Sequence, residues 1–205
     1  MWSKAVQEYR LYGVENRTLI IGDELFGEQG EAAYRCAELL LCLEANRPIQ
    51  FSINAPVIHS IAQLRSRVST DVIGKKAGRI VLGLGLKELN RGGADYNAVF
   101  EQYSLFVEDV LNKTTCPLHL VTIPVDMLPE ANSQLAGLNE KIRGLRTNPR
   151  VKIIDFAEHA TIYKEKQVER GKFGRSIYTE EGKPTSLCNT LLALFLQESI
   201  LKEMK

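Results

Sequence analysis

Thr18–Leu25, TLIIGDEL, is the stretch whose reading decides the fold. Thr18 to Gly22 is a short run rich in β-branched and aliphatic residues, the composition of a strand. Gly22 ends it, and two acidic residues, Asp23 and Glu24, follow at once. Polar residues directly behind a buried strand stand at its carboxyl end, where open α/β sheets carry their sites.

Strand-like and helix-like segments alternate from there to the end of the chain. Glu28 to Asn46 carries a broad apolar face from Ala33, Leu39, Leu40 and Leu43 and reads as a helix stopped by Pro48. Ile49 to Ile53 alternates like a strand, and Pro56 to Val68 has a helical pattern. Arg79 to Leu84, RIVLGL, is a continuous apolar run, as expected of a strand buried on both faces. Tyr96 to Leu111 is helical, with Val99, Tyr103, Phe106, Val107 and Val110 on one stripe. Leu118 to Ile123 and Val151 to Asp155 read as the fourth and fifth strands, with a helix over Ala131 to Leu145 between them. The charged stretch from Tyr163 to Arg175 reads as a loop or frayed helix. A last helix starts near Thr185 or Ser186, either an N-cap, and runs to about Lys202. Strands separated by helices of these lengths predict a parallel sheet covered on both faces. Its rim gathers Gly22 to Glu24, Gly83 to Glu88 and the Pro124 region.

Composition narrows the function classes. The chain of 205 residues is long enough for one domain with a substantial core, and 1–205 reads as one domain without a linker or repeat. Its formal net charge of +1, with Lys and Arg scattered among Asp and Glu, speaks against a nucleic-acid footprint. The most apolar stretch, Leu187 to Ile200, is interrupted by Asn189, Gln197 and Glu198 and is too short to span a bilayer. The polar start, MWSKAVQEYRLYG, has a helical pattern and no secretory signal, so the expected location is cytoplasmic. Cys36, Cys42, Cys116 and Cys188 form no CxxC pair and no zinc-like spacing with histidine, so no metal or other cofactor is expected. Buried free thiols are the simplest reading.

Three segments, in this order and spacing, resemble the SGNH (GDSL-type) hydrolases. The first is IIGDEL, Ile20 to Leu25, similar to that family's G-D-S-L block, with Glu24 at the position of the nucleophilic serine. The second is LGLKEL, Leu84 to Leu89, similar to its G-x-N-D-L block. Gly85 and Leu89 match there, Lys87 stands where the oxyanion-binding Asn is expected, and Glu88 stands for Asp. The third is EEGKPTS, Glu180 to Ser186, similar to the D-x-x-H-P block. In the best register Glu180 takes the Asp position, Lys183 the His position, and Pro184 matches. The loop after the second strand reads INAPV, with Ala55 or a neighbour where the family has a Gly. The resemblance runs from about Arg17 to the end. It implies a flavodoxin-like, three-layer α/β/α sandwich with a five-stranded parallel sheet.

The substitutions bear on the chemistry that the resemblance implies. Ester hydrolysis of this kind needs an oxygen nucleophile, a base for its proton and donors for the oxyanion. Glu24 has no hydroxyl, and Lys183 between two carboxylates would hold its proton. The expectation is a protein without esterase activity that keeps its cleft for binding or a structural role. Asp23, Ala55, Gly85 and Lys87 would line that cleft. Glu24, Glu180, Lys87 and Lys183 sum to zero charge, which suggests a salt-bridge network with Lys183 between Glu24 and Glu180. Lys87 and Lys183 suit a small anionic ligand, with a protein partner as the other candidate.

Other readings remain. Glu24 and Glu180 could form the acid/base pair of a carbohydrate hydrolase. Asp23, Glu24, Glu88 and Asp155 could gather a hard cation. A GDSL-type esterase in another register would draw on Ser52, Ser60 and His59. Gly83–Glu88 begins like a dinucleotide fingerprint but lacks its third glycine. His119 falls inside a strand and His159 just past one, away from the block where the family keeps its histidine.

Overall fold

The computed structural model describes residues 17–43, 49–57, 59–90, 95–171 and 176–204. The helical pattern at the start, the end of the first helix with Pro48, and residues 172–175 of the charged stretch lie outside them.

Five strands form one sheet: β1 (Arg17–Gly22), β2 (Gln50–Asn54), β3 (Arg79–Gly83), β4 (Leu118–Val121) and β5 (Val151–Ile154). All pairings are parallel, and the order is β2-β1-β3-β4-β5. The switch in order falls at β1 and β3, which pair in register from Thr18 opposite Arg79 to Gly22 opposite Gly83. β3 and β4 are buried along their whole length, Arg79 and His119 included, and the rest of both strands is apolar or glycine. β2 is an edge strand and partly exposed throughout.

Eight α-helices join the strands among the described residues. They are α1 (Glu31–Leu43), α2 (Ile61–Ser66), α3 (Val68–Asp71), α4 (Leu86–Asn90), α5 (Tyr96–Lys113), α6 (Asn132–Gly144), α7 (Phe156–Glu169) and α8 (Ser186–Met204). α1 and α8 pack together on one face, and α7 joins α8 there through the stacked rings of His159 and Phe195. α2, α5 and α6 cover the other face. The result is the three-layer sandwich with a five-stranded parallel sheet that the sequence led us to expect.

One stretch differs from its sequence reading, and a second takes the helical one of its two readings. The helical pattern of Pro56 to Val68 is realised as two short helices. α2 starts only at Ile61, where Ser60 and Gln63 form a reciprocal capping box. The peptide before Pro56 is cis. The charged stretch after β5 is helical as far as Glu169. Asp155 caps α7 by accepting from the Glu158 N–H, and Phe156, Ala157 and Ala160 supply a short buried stripe. Charges on the remaining faces hide that stripe in the sequence.

Candidate functional site

The C-terminal ends of β1 and β3 come together through two glycines. A Cβ on Gly22 would lie 2.0 Å from the Phe26 ring, and one on Gly83 would lie 2.5 Å from it. The ring therefore fills the space above both strand ends, and the turn after β1 is drawn tightly over the sheet. Glu24 to Phe26 form a single 3-10 turn there, with Leu25 and Phe26 buried.

Asp23 organises this rim from inside. It is 1% exposed, and its carboxylate accepts from three backbone N–H groups. These are Leu25 at 3.1 Å, Gly85 at 2.8 Å and Lys87 at 3.2 Å. One side chain thus fixes its own turn and the loop after β3. Burial, the largest influence, pushes its pKa up to about 7 against the three amides, which pull it down. The nearby Glu88 adds to the rise.

A cleft of about 470 Å³ opens on this rim. Glu24 and Glu28 line it from the segment after β1, and Pro56 and Val57 from the loop after β2. α4 contributes Leu86, Lys87 and Asn90. Met127 and Leu128 follow β4, and Glu181 to Pro184 precede α8. The expected gathering of the β1, β3 and β4 exits is therefore present.

The lysines are placed differently from one another. Lys87 is 6% exposed, and its Nζ donates to the Val57 carbonyl at 2.9 Å, tying α4 to the β2 exit across the cleft. Lys183 stands at the mouth, more than half exposed, with Nζ 3.1 Å from Glu28 and 3.7 Å from Glu181. These carboxylates, Glu28 first, raise its pKa.

The expected link from Glu24 through Lys183 to Glu180 does not form. The reason is a turn: the Gly182 N–H donates to the Thr179 carbonyl, and Gly182 adopts a φ of +79°. Tyr178 bridges Pro184 across this small hairpin. Glu180 and Glu181 occupy its tip. Glu181 faces Lys183, whereas Glu180 is exposed and does not line the cleft.

The remaining candidates separate. Ala55 is buried behind Pro56, with its carbonyl against Gly30 rather than in the cleft. The Val57 N–H is taken by the Gly22 carbonyl at 2.7 Å. Gly85 is buried beneath α4 with its N–H on Asp23. Glu88 accepts from the Ile61 N–H at 2.9 Å and so closes the N-terminus of α2. Asp155 accepts from Thr122 and, through both oxygens, from Arg143. Three of the four acids considered for a hard cation, Asp23, Glu88 and Asp155, are thus held by separate partners, Glu24 lines the cleft apart from them, and among the described residues no group of His, Cys, Asp or Glu is arranged for a metal ion. Ser52 and His59 share a different cavity with Arg67 and Asp71, and Ser60 caps α2. The cysteines are free thiols; Cys36, Cys116 and Cys188 are buried and Cys42 is exposed.

Sequence reasoning missed Glu28, Glu181 and the apolar wall of Met127 and Leu128. No motif marks them. The proline pair Pro124 and Pro129 around a short apolar segment was the available signal for the last two.

No family model matches the chain, and no curated protein matches it by sequence. Solved structures do. A lipase/acylhydrolase from Enterococcus faecalis superposes with a TM-score of 0.68 at 12% identity, over 91% of this chain and 96% of the other. A lipolytic protein of the G-D-S-L family from Veillonella parvula gives 0.68 at 15% identity, over 90% and 98%. An acetyl xylan esterase gives 0.67 at 17% identity, over 90% and 99%. At these identities the likeness concerns the fold. The chain has the fold of the SGNH, or GDSL-type, hydrolases.

Proposed function

We propose that this protein is a non-esterolytic member of the SGNH fold that uses its cleft to bind a small molecule. One observation carries the reading: the side chain at the nucleophile position, in the cleft on the turn after β1, is Glu24, and no histidine lines that cleft among the described residues. An acyl group passed to a carboxylate would give an anhydride, and among the described residues the cleft has no histidine to take the proton of the water that would have to hydrolyse it. Removing the nucleophile or the base of a hydrolase triad typically costs about a millionfold in turnover.

The cleft itself remains open. Its volume suits a small ligand, and its walls combine apolar side chains with a few charged ones, the usual make-up of a binding site. The similar structures are described as lipases, acylhydrolases and an esterase, so an active hydrolase is the alternative. The carbohydrate-hydrolase variant needs Glu180 opposite Glu24 and is disfavoured by the exposed turn that holds Glu180.

Hydrolysis of p-nitrophenyl acetate by the wild-type protein and by Glu24→Ser tests the reading. Neither is expected to exceed the buffer rate, since a restored hydroxyl still lacks its base. Turnover by the wild type that disappears in Glu24→Ala would overturn it.

A further inference from the structure

Glu24 is partly buried, yet its carboxylate has no hydrogen-bond or ion-pair partner among the described residues. The other acids of the cleft are engaged. Glu28 and Glu181 both face Lys183, so the mouth holds two carboxylates and one ammonium. Deeper in, Lys87 lines the same cleft and donates its Nζ to the Val57 carbonyl. Among the described residues, three carboxylates and two ammonium groups leave the lining one negative charge in excess. The two lysines suggested an anionic ligand from the sequence. The structure shifts the balance, because two carboxylates already hold Lys183 at the mouth.

A carboxylate without a protein partner is free to accept charge-assisted hydrogen bonds from a cation that enters the cleft. Around Glu24 the walls are apolar: Pro56, Val57, Leu86, Met127 and Leu128. An ion with a purely polar body would leave those walls wet. An ammonium group on an apolar chain satisfies both parts of the cleft.

We propose that the cleft takes an organic ammonium ligand, with Glu24 as the carboxylate that receives its N–H donors and the apolar walls holding its hydrocarbon part. This rests on the reading of the cleft as a binding site, and it names the ligand's chemistry. Glu24 is then the residue that determines specificity, and the Glu28–Lys183–Glu181 ion pairs are the rim through which the ligand passes.

The test is a titration of the full chain with hexylammonium chloride, hexanoate and hexanol in parallel, followed by backbone amide shifts. Hexylammonium is expected to bind about tenfold more tightly than hexanoate and to shift the amides of Glu24, Val57 and Leu86 saturably. Glu24→Gln should lower hexylammonium affinity about tenfold and leave hexanol unchanged, while Glu24→Asp retains part of the preference. Glu28→Gln, whose carboxylate is held by Lys183, should have a smaller effect. Hexanoate binding as tightly as hexylammonium, or a preference that survives Glu24→Gln, would overturn the ammonium assignment and leave the binding cleft standing. Failure of all three probes to bind the cleft would overturn both. Ester turnover dependent on Glu24 would overturn the non-esterolytic reading alone.

Discussion

Asp23 shows at the scale of one residue how the site is held and how it responds to pH. Unfolded, its carboxyl titrates near the ordinary 3.8, while in the folded protein burial raises it to about 7. Between those values the native state keeps a proton that the unfolded state has lost. The Asp23 contribution is therefore fully present below about pH 4 and is lost as pH rises through 7. His119 acts in the opposite sense: burial, helped by the charges of Arg79 and Lys152, lowers it from 6.5 to about 3. Its contribution is present above 6.5 and is lost as pH falls towards 3. Comparing the wild type with Asp23→Asn at each pH cancels the histidine. The stability difference, from urea midpoints, is expected to move against the wild type as pH rises from about 4 to 7. A difference independent of pH would show that Asp23 titrates alike in both states. Asp23 was legible in the sequence as a rim residue through the G-D-x-L pattern. Its three amide partners were not, because Gly85 and Lys87 meet it only through β1–β3 pairing.

Elements are joined at the rim by single side chains, and these make the sharpest tests of packing. Glu88 closes α2 from a distance of 27 residues, by accepting from the Ile61 N–H. Glu88→Ala should cost about 1 kcal/mol, the usual value of a lost N-terminal acceptor, and Glu88→Gln should cost less. That loss lowers Tm by about 2–4 °C for a chain of this size. Asn139, on α6, pairs with both backbone groups of Ile123, its Oδ1 accepting at 2.9 Å and its Nδ2 donating at 2.7 Å. This bond pair holds the β4 exit, and with it the wall formed by Met127 and Leu128. Asn139→Ala strands two buried backbone groups and should cost about 3 kcal/mol in chemical denaturation. A loss below about 1 kcal/mol would mean that water or a local shift replaces the asparagine. At this scale the sequence was readable wherever period and caps agreed, as in α5 with its buried stripe and in α8, whose N-terminal N–H at Cys188 bonds to the Thr185 hydroxyl. It was least readable in α7, where three buried residues among many charges set the helix.

Across the whole molecule, the fold follows from the alternation of strands and helices. Buried parallel strands, glycines at two neighbouring strand ends and a long closing helix are local signals, so they survive where sequence identity to similar structures is 12–17%. The site needed long-range information. The third block, Glu180 to Ser186, looked like the acid and base of a triad, but a hairpin turn sends Glu180 outward and brings Glu181 to Lys183. The turn at Gly182 and the pairing of Tyr178 with Pro184 across it set this arrangement. What remains is the SGNH fold with an open cleft lined by Glu24. The most direct test is the intact mass of the protein after exposure to an alkyl fluorophosphonate, which captures an activated hydroxyl. The account predicts an unchanged mass. A stoichiometric adduct mapped to a serine would contradict it, showing a working nucleophile elsewhere in the chain.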